Sequence, residues 1–338
     1  MRPRPPYKMA LLCLVALLLL LSGTLTSLAV AQMASVTYVL DWVVSGRHAP
    51  YLVALEKGFY RERGIEAQIE RGHGSAGAVK RVASGAAPFA LADTSSLVLA
   101  QARERVDARL VAMVYSNAPH ALAYVVGKGI RGPKDLEGKK IGATAGSSVR
   151  EIFPAFARAN GVDASKVNWV LSDAALLPSL LLAGQVDAMI SFLFEIPMIG
   201  RKAAPQGLQL AGMRYADYGL KFYSSGVMTK ATLIRENPDL VRRLTHATLQ
   251  GLLYAFDHPE EAVDLLRRRH PEVPREGAIP EVSMVRDLAM SEGDKAHGIG
   301  YMSKEKMEST RQLMTETYRL TVVVPLEDLY TNEFLPKK

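Results

Sequence analysis

Short runs rich in Val, Ile and Ala alternate with amphipathic stretches over most of this chain, and that alternation limits its fold more than any other feature. Strand candidates are VTYVL (36–40), IEAQIE (65–70), FALAD (89–93), LVAMVYS (110–116), ALAYVVG (121–127), KKIGAT (139–144), NWVLS (168–172), AMISF (188–192) and LQLAGM (208–213). Helical spacing lies between most of them, over 49–63, 75–84, 147–160 and 175–183. Alternation of this kind predicts parallel α/β layers. After Met228 the character changes, and from Thr232 onward the apolar residues follow a helical period almost throughout. A chain of 338 residues exceeds one comfortable core, so two lobes are expected.

Two segments punctuated by Gly are candidate crossings between lobes: ALAYVVGKGIRGPKDLEGKKIG and YSSGVMTKATL. They predict one lobe built from 32–125 plus 223–338 and a second from 126–222. A ligand would then sit in the cleft at the carboxyl ends of strands, where open sheets bind small molecules.

The chain starts MRPRPPYKMA and continues LLCLVALLLLLSGTL, ahead of the small-x-small site Ala29-Val30-Ala31. Basic, apolar and cleavable regions in that order predict a signal peptide over 1–31 and export to the periplasm. A membrane anchor is the alternative, but the apolar run falls short of the roughly 20 residues that a span needs. Cys13 lies inside the run rather than at its end, which argues against a lipid-modified cysteine. Loss of Arg2, Arg4 and Lys8 takes the 41 basic and 34 acidic residues from a net +7 to about +4, and also removes the single cysteine. A mature chain without Cys has neither disulfides nor thiol chemistry. The basic residues are scattered, with no aromatic-studded stripe, so nucleic acid is not an expected partner.

RGHGSAG (71–77) fits the G-x-G-x-x-G pattern of dinucleotide loops, and Asp93 lies about 20 residues on. The context opposes that reading. The chain is expected outside the cytosol, and the preceding IEAQIE alternates polar and apolar residues where a buried central strand would be apolar throughout. The plainer reading is a tight exit from a strand, with Ser75 capping the next helix. The seven histidines are dispersed and form no H-x-x-x-H pair, so no metal site is expected. No G-x-S-x-G elbow occurs, and no catalytic residue is assigned. AGSSVRE marks a helix N-terminus whose N–H groups and hydroxyls could cap the helix or accept ligand oxygens.

The run VTYVLDWVVSGRHAPYLVALEKGFYRERGIEAQIERGHGSAGAVKRVASGAAPFALADTSS resembles the exported solute-binding proteins of ABC importers. The branch it resembles holds thiamine-pyrimidine-precursor binders and taurine, sulfonate and nitrate binders, an NMT1/THI5-like group. IRGPKDLEGKKIGATAGSSVRE, LLAGQVDAMISFLFE and ENPDLVRRLTHATLQGLLYAFDHPEEA continue the likeness in the same order. The resemblance implies a two-lobed, type II periplasmic-binding-protein fold, each lobe a mixed, mainly parallel sheet flanked by helices. It implies a monomer that binds a small molecule without cofactor and docks on a membrane permease.

LDW followed by His is, by that resemblance, the mark of the pyrimidine-precursor binders. Trp42 offers a stacking face and His48 a polar contact at a ring edge; a core tryptophan and a capping histidine are the alternatives. Glu195, after Phe192 and Phe194 at the end of a strand, is a carboxylate between aromatics that suits a ligand with N–H donors; a solvated glutamate at a helix N-terminus is the alternative. Asp93, Thr94 and Ser95, the loop Gly146, Ser147 and Ser148, Asn117 after the fourth strand, and Tyr223 at the second crossing complete the expected ligand contacts. The stretch DWVVSGRH departs from the family pattern: Val43 and Val44 stand where polar residues are usual, and Arg47 adds a cation. Arg47 is either a surface charge or a cleft residue that favours an anion. The expected ligand is therefore a thiamine-related pyrimidine or similar N-heteroaromatic, with a sulfonate, taurine or aromatic carboxylate as the alternative. A pyrimidine-synthesising enzyme on the same fold is a further alternative, which the signal peptide and the Cys-free mature chain count against.

Overall fold

The computed structural model describes residues 33–289 and 296–337. The expected signal peptide lies outside the described residues. Ten strands form: β1 (Ala34–Val39), β2 (Ile65–Glu70), β3 (Phe89–Asp93), β4 (Arg109–Met113), β5 (His120–Val125), β6 (Lys140–Ala143), β7 (Asn168–Leu171), β8 (Ala188–Phe192), β9 (Leu210–Arg214) and β10 (Ser225–Thr229). They make two five-stranded sheets, ordered β2-β1-β3-β10-β4 and β7-β6-β8-β5-β9.

The two sheets share one logic. β1 pairs in parallel with β2 and β3, whereas β10 runs antiparallel between β3 and β4. In the second sheet β6 pairs in parallel with β7 and β8, whereas β5 runs antiparallel between β8 and β9. Each antiparallel strand is the first one laid down after the chain changes sheet. Both sheets are mixed, as the family resemblance implies, rather than wholly parallel as the alternation alone predicts.

Burial explains the sequence patterns. β3, β8 and β10 are buried along their whole lengths, which is why FALAD and AMISF read as nearly continuous apolar runs. β2 is an edge strand with Ile65 and Ala67 buried and Glu66 and Gln68 exposed, hence the alternation in IEAQIE. The helix Ser75–Ser84 matches its predicted span, but the helix predicted over 49–63 stops at Glu56. Gly58, at φ +81°, turns the chain there, and only a short 3-10 turn follows at Arg61–Arg63.

The first sheet-to-sheet passage also lies earlier than expected. β5 pairs with β8 and β9, so the chain has left the first sheet before His120, not at residue 126. The return lies between Arg214 and Ser225. The C-terminal helices then pack back on the first sheet, and Thr331 N–H donates to the Leu110 carbonyl at 3.0 Å beside a Leu110–Tyr330 bridge. The helix Lys304–Tyr318 reaches both halves: it packs on the helices Thr94–Glu104 and Ser148–Ala159, and the Tyr318 hydroxyl donates to the Glu151 carbonyl. Among the described residues no helix is long and apolar enough to cross a membrane.

Candidate ligand-binding site

β1 ends in Leu40-Asp41-Trp42, and the chain then folds back through the 3-10 turn Gly46–His48. That turn brings Arg47 onto Asp41. Arg47 Nη1 donates to Asp41 Oδ1 at 2.8 Å and to Oδ2 at 3.1 Å, with Arg47 1% and Asp41 2% exposed. His48 Nδ1 accepts the Ser45 N–H at 3.1 Å, which leaves the proton on Nε2 to donate to Asp41 Oδ1 at 3.1 Å. Ser225 Oγ, from β10, donates to Oδ2. Burial opposes the charge on Asp41, but Arg47 and His48 outweigh it and hold the carboxyl below its ordinary range. Burial, then the Arg47 cation, push His48 down to about 4, so the ring is neutral at pH 7.

Around Arg47 the second sheet supplies aromatics and a second carboxylate. The guanidinium carbon lies 5.2 Å from the Phe192 ring centre and 5.4 Å from that of Phe194. Arg47 Nε is 3.8 Å from Glu195 Oε1 and has no hydrogen-bond acceptor among the described residues. Glu195 Oε2 accepts from the Phe192 N–H and the Ser191 hydroxyl, each at 3.2 Å. Burial raises the Glu195 pKa above its ordinary value despite Arg47. From the helix Arg275–Ala289, Glu281 accepts the Arg47 backbone N–H at 3.0 Å, and burial pushes its carboxyl up to about 7.

A cavity opens on this cluster, with about 310 Å³ of unoccupied space, part of it open to solvent. Asp41, Trp42, Arg47 and Ser75 line it from the first sheet's side; Ser147, Ser148, Val149, Ile190, Ser191, Phe192 and Glu195 line it from the second. Two helix N-termini meet there, those of Ser75–Ser84 and Ser148–Ala159, and the Ser147 hydroxyl makes no capping bond. The two loops touch across the cleft, where Ala76 N–H donates to the Gly146 carbonyl at 3.3 Å.

RGHGSAG makes this closeness possible. A Cβ on Gly72 would lie 1.9 Å from the Leu40 carbonyl oxygen, and one on Gly74, at φ +115°, 2.5 Å from the Gly146 oxygen. Gly72 and Gly74 donate their N–H groups to the Trp42 and Asp41 carbonyls. The glycines hold the LDW loop and let the two sides of the cleft meet.

Of the twelve expected contacts, the structure brings Trp42, Ser147, Ser148, Phe192 and Glu195 to the cavity, with Gly146 at the loop contact beside it. His48 is fully buried with both ring nitrogens engaged, so it orients Asp41 and does not line the cavity. Asp93, Thr94 and Ser95 are also fully buried. Asp93 Oδ1 accepts from Ser95, and Oδ2 from Ser224 at 2.8 Å, with His120 Nε2 at 3.3 Å; Thr94 donates to the Ser224 carbonyl. These residues tie the first sheet to the returning strand and to β5. Asn117 lines a separate open cavity beside Arg214 and Lys221, and Tyr223 is buried with its hydroxyl on Ser303. Asp41, Ser75, Val149, Ile190 and Ser191 also line the cavity, and the motif reading did not select them. Arg47, left open between surface and cleft, lies at the centre of the cleft. Among the described residues no group of His, Cys, Asp and Glu is arranged to hold a metal.

Known proteins resemble this chain in sequence and in fold. The chain is 26% identical over 314 residues to the riboflavin-binding protein RibY of Chloroflexus aurantiacus, covering 89% of this chain and 86% of that protein. It is 24% identical over 270 residues to the formylaminopyrimidine-binding protein of Halalkalibacterium halodurans, covering 79% and 80%. A relative named 4-amino-5-hydroxymethyl-2-methylpyrimidine phosphate synthase, from Legionella pneumophila, is 25% identical over 243 residues and covers 70% and 74%. Among solved structures, the alkanesulfonate-binding protein SsuA of Xanthomonas axonopodis pv. citri, bound to MOPS, superimposes with a TM-score of 0.69 at 14% identity, over 89% of this chain and 99% of that one. The fold is that of the periplasmic binding proteins. Residues 45–262, more than half of the 338, match the family described as NMT1/THI5 like, and the chain belongs to that family.

Proposed function

We propose that this protein is the exported solute-binding component of an ABC importer, and that it captures a small N-heteroaromatic ligand in the cleft between its two sheets. The observation that carries this reading is the pairing of Arg47 Nε, a buried N–H without an acceptor, with the Glu195 carboxyl 3.8 Å away, beside Trp42 and Phe192. A donor and an acceptor side by side between aromatic faces match a ring edge that carries an acceptor next to an N–H, as in aminopyrimidines and fused pyrimidines. The charge balance supports a neutral ring. Asp41 already pairs with Arg47, and Glu195 adds a second carboxyl, so the cavity offers little surplus positive charge to a sulfonate.

An organic anion remains the second reading, favoured by the two helix N-termini that converge on the cavity. In either case one lobe, proposed as 32–125 plus 223–338 with β5 reassigned, binds first, and the other closes over the ligand. The closed form then docks on a permease in the membrane. The relatives named as binding proteins support capture without turnover.

Thermal shift of the mature protein against aminopyrimidines, flavins, alkanesulfonates and aromatic carboxylates tests the reading. Stabilisation by the heteroaromatics is the expected result; stabilisation by sulfonates alone would overturn it.

A further inference from the structure

A second chamber lies beside the cavity over Arg47. Trp42, Ile190 and Glu195 line both, so the two spaces share a wall. The second space is the larger, about 850 Å³ against about 310 Å³, part of each open to solvent. Its walls come from both sheets' segments: Val43 and Val44 after β1, Ala175 and Pro178 after β7, Met198 after β8, and Val273 before the helix Arg275–Ala289. All six side chains are hydrocarbon or thioether. The charged groups on this chamber besides Glu195 are Lys202 and Glu272, both solvent-exposed.

Resting on the heteroaromatic reading above, we infer that the natural ligand has two or more rings: a polar ring edge on Arg47 and Glu195, and an apolar ring system that passes Trp42 into the chamber walled by Val43, Val44 and Met198. Three observations agree. The first chamber alone is tight, with room for little more than a water-sized group, whereas ligand pockets run from about 300 to 1,000 Å³. An apolar hollow between two sheets gains most when a ring fills it and displaces its water. Val43 and Val44, which depart from the polar residues usual after LDW, are two of the six side chains that make this wall apolar. A single pyrimidine would leave the chamber wet.

The test is calorimetric titration of the mature protein with two probes, 4-amino-5-hydroxymethyl-2-methylpyrimidine as a single ring and lumichrome as three fused rings. Two variants accompany it: Ala175→Phe, at an exposed loop position that projects bulk into the second chamber, and Val44→Asn, which makes its wall polar. The three-ring probe is expected to bind at least tenfold more tightly than the single ring. Ala175→Phe should weaken it at least tenfold and leave single-ring binding within twofold; Val44→Asn should act in the same direction. Equal affinities, with neither variant changing the three-ring probe, would overturn the second chamber while the heteroaromatic reading stands. Failure of both probes to bind would overturn that reading and this inference together.

Discussion

Replacing Arg47 by Met removes the guanidinium and keeps most of the side-chain volume, leaving the Asp41 carboxylate 2% exposed with only His48 and Ser225 to stabilise it. Breaking a buried ion pair from one side destabilises by about 3–5 kcal/mol, because the remaining charge is dry and uncompensated. For roughly 300 ordered residues the unfolding entropy is about 0.6 kcal/mol/K, so that loss lowers Tm by about 5–8 °C. The charge, not the lost packing, is the asserted cause, and the double variant separates the two. Asp41→Asn with Arg47→Met removes both charges while His48 Nε2–H still finds an oxygen acceptor, and it should melt within about 3 °C of the parent. Acidification gives a second check. Without Arg47, burial raises the Asp41 pKa above its unfolded value, so the deficit of the single variant should shrink as pH falls from 7 towards 4. The assay is thermal unfolding of ligand-free mature protein followed by far-ultraviolet circular dichroism. A single variant that melts within about 2 °C of the parent, or a double variant less stable than the single, would refute the reasoning.

Other perturbations probe the rest of the site. Trp42→Ala should weaken a heteroaromatic ligand by about 10- to 100-fold in a calorimetric titration; an unchanged affinity would make Trp42 mere wall. Gly74→Ala places a Cβ 2.5 Å from the Gly146 oxygen at φ +115°, so it should hold the cleft ajar. The readout is a larger radius of gyration with ligand in small-angle scattering, and a parental radius would contradict the contact between the loops. Glu281 titrates near 7 in the folded chain against 4.5 in its ordinary state, a raised pKa, so its stabilisation is complete below pH 4.5 and lost as pH rises through 7. That amounts to about 3 kcal/mol between the two limits. His48, lowered from 6.5 to about 4, opposes it, because its contribution is complete above pH 6.5 and falls away towards 4. Glu281→Gln should therefore lower the ratio of stability at pH 5 to that at pH 8, measured by chemical denaturation; an identical pH profile would show that Glu281 does not titrate in this range.

Much of the fold was legible because local signals and tertiary placement agree. FALAD and Ser75–Ser84 carry their spans in their apolar spacing. The membership of β5 was not legible, since ALAYVVG looks the same in either sheet and its placement depends on distant partners in β8 and β9. The site divides in the same way. Trp42, Ser147, Phe192 and Glu195 stand just after strands or at a helix N-terminus, where a doubly layered sheet exposes side chains to its cleft. Asp93, Thr94 and Ser95 carry that same signal yet are consumed by Ser224 and His120, partners about 130 and 27 residues away that no local pattern announces. The place of Arg47, surface or cleft, could not be read locally because its neutralising partner, Asp41, meets it only once the 3-10 turn at Gly46–His48 has formed. The dinucleotide pattern in RGHGSAG is real as spacing, and its glycines serve close approach of backbone to backbone instead.

The most direct test of the central claim is titration of the mature protein with riboflavin and with an alkanesulfonate, in parent, Trp42→Ala and Arg47→Met proteins, followed by recovery of the bound compound. The account expects riboflavin to bind the parent one to one, to be weakened in both variants, and to be recovered chemically unchanged. Binding of the sulfonate alone, or recovery of a transformed heteroaromatic, would contradict it.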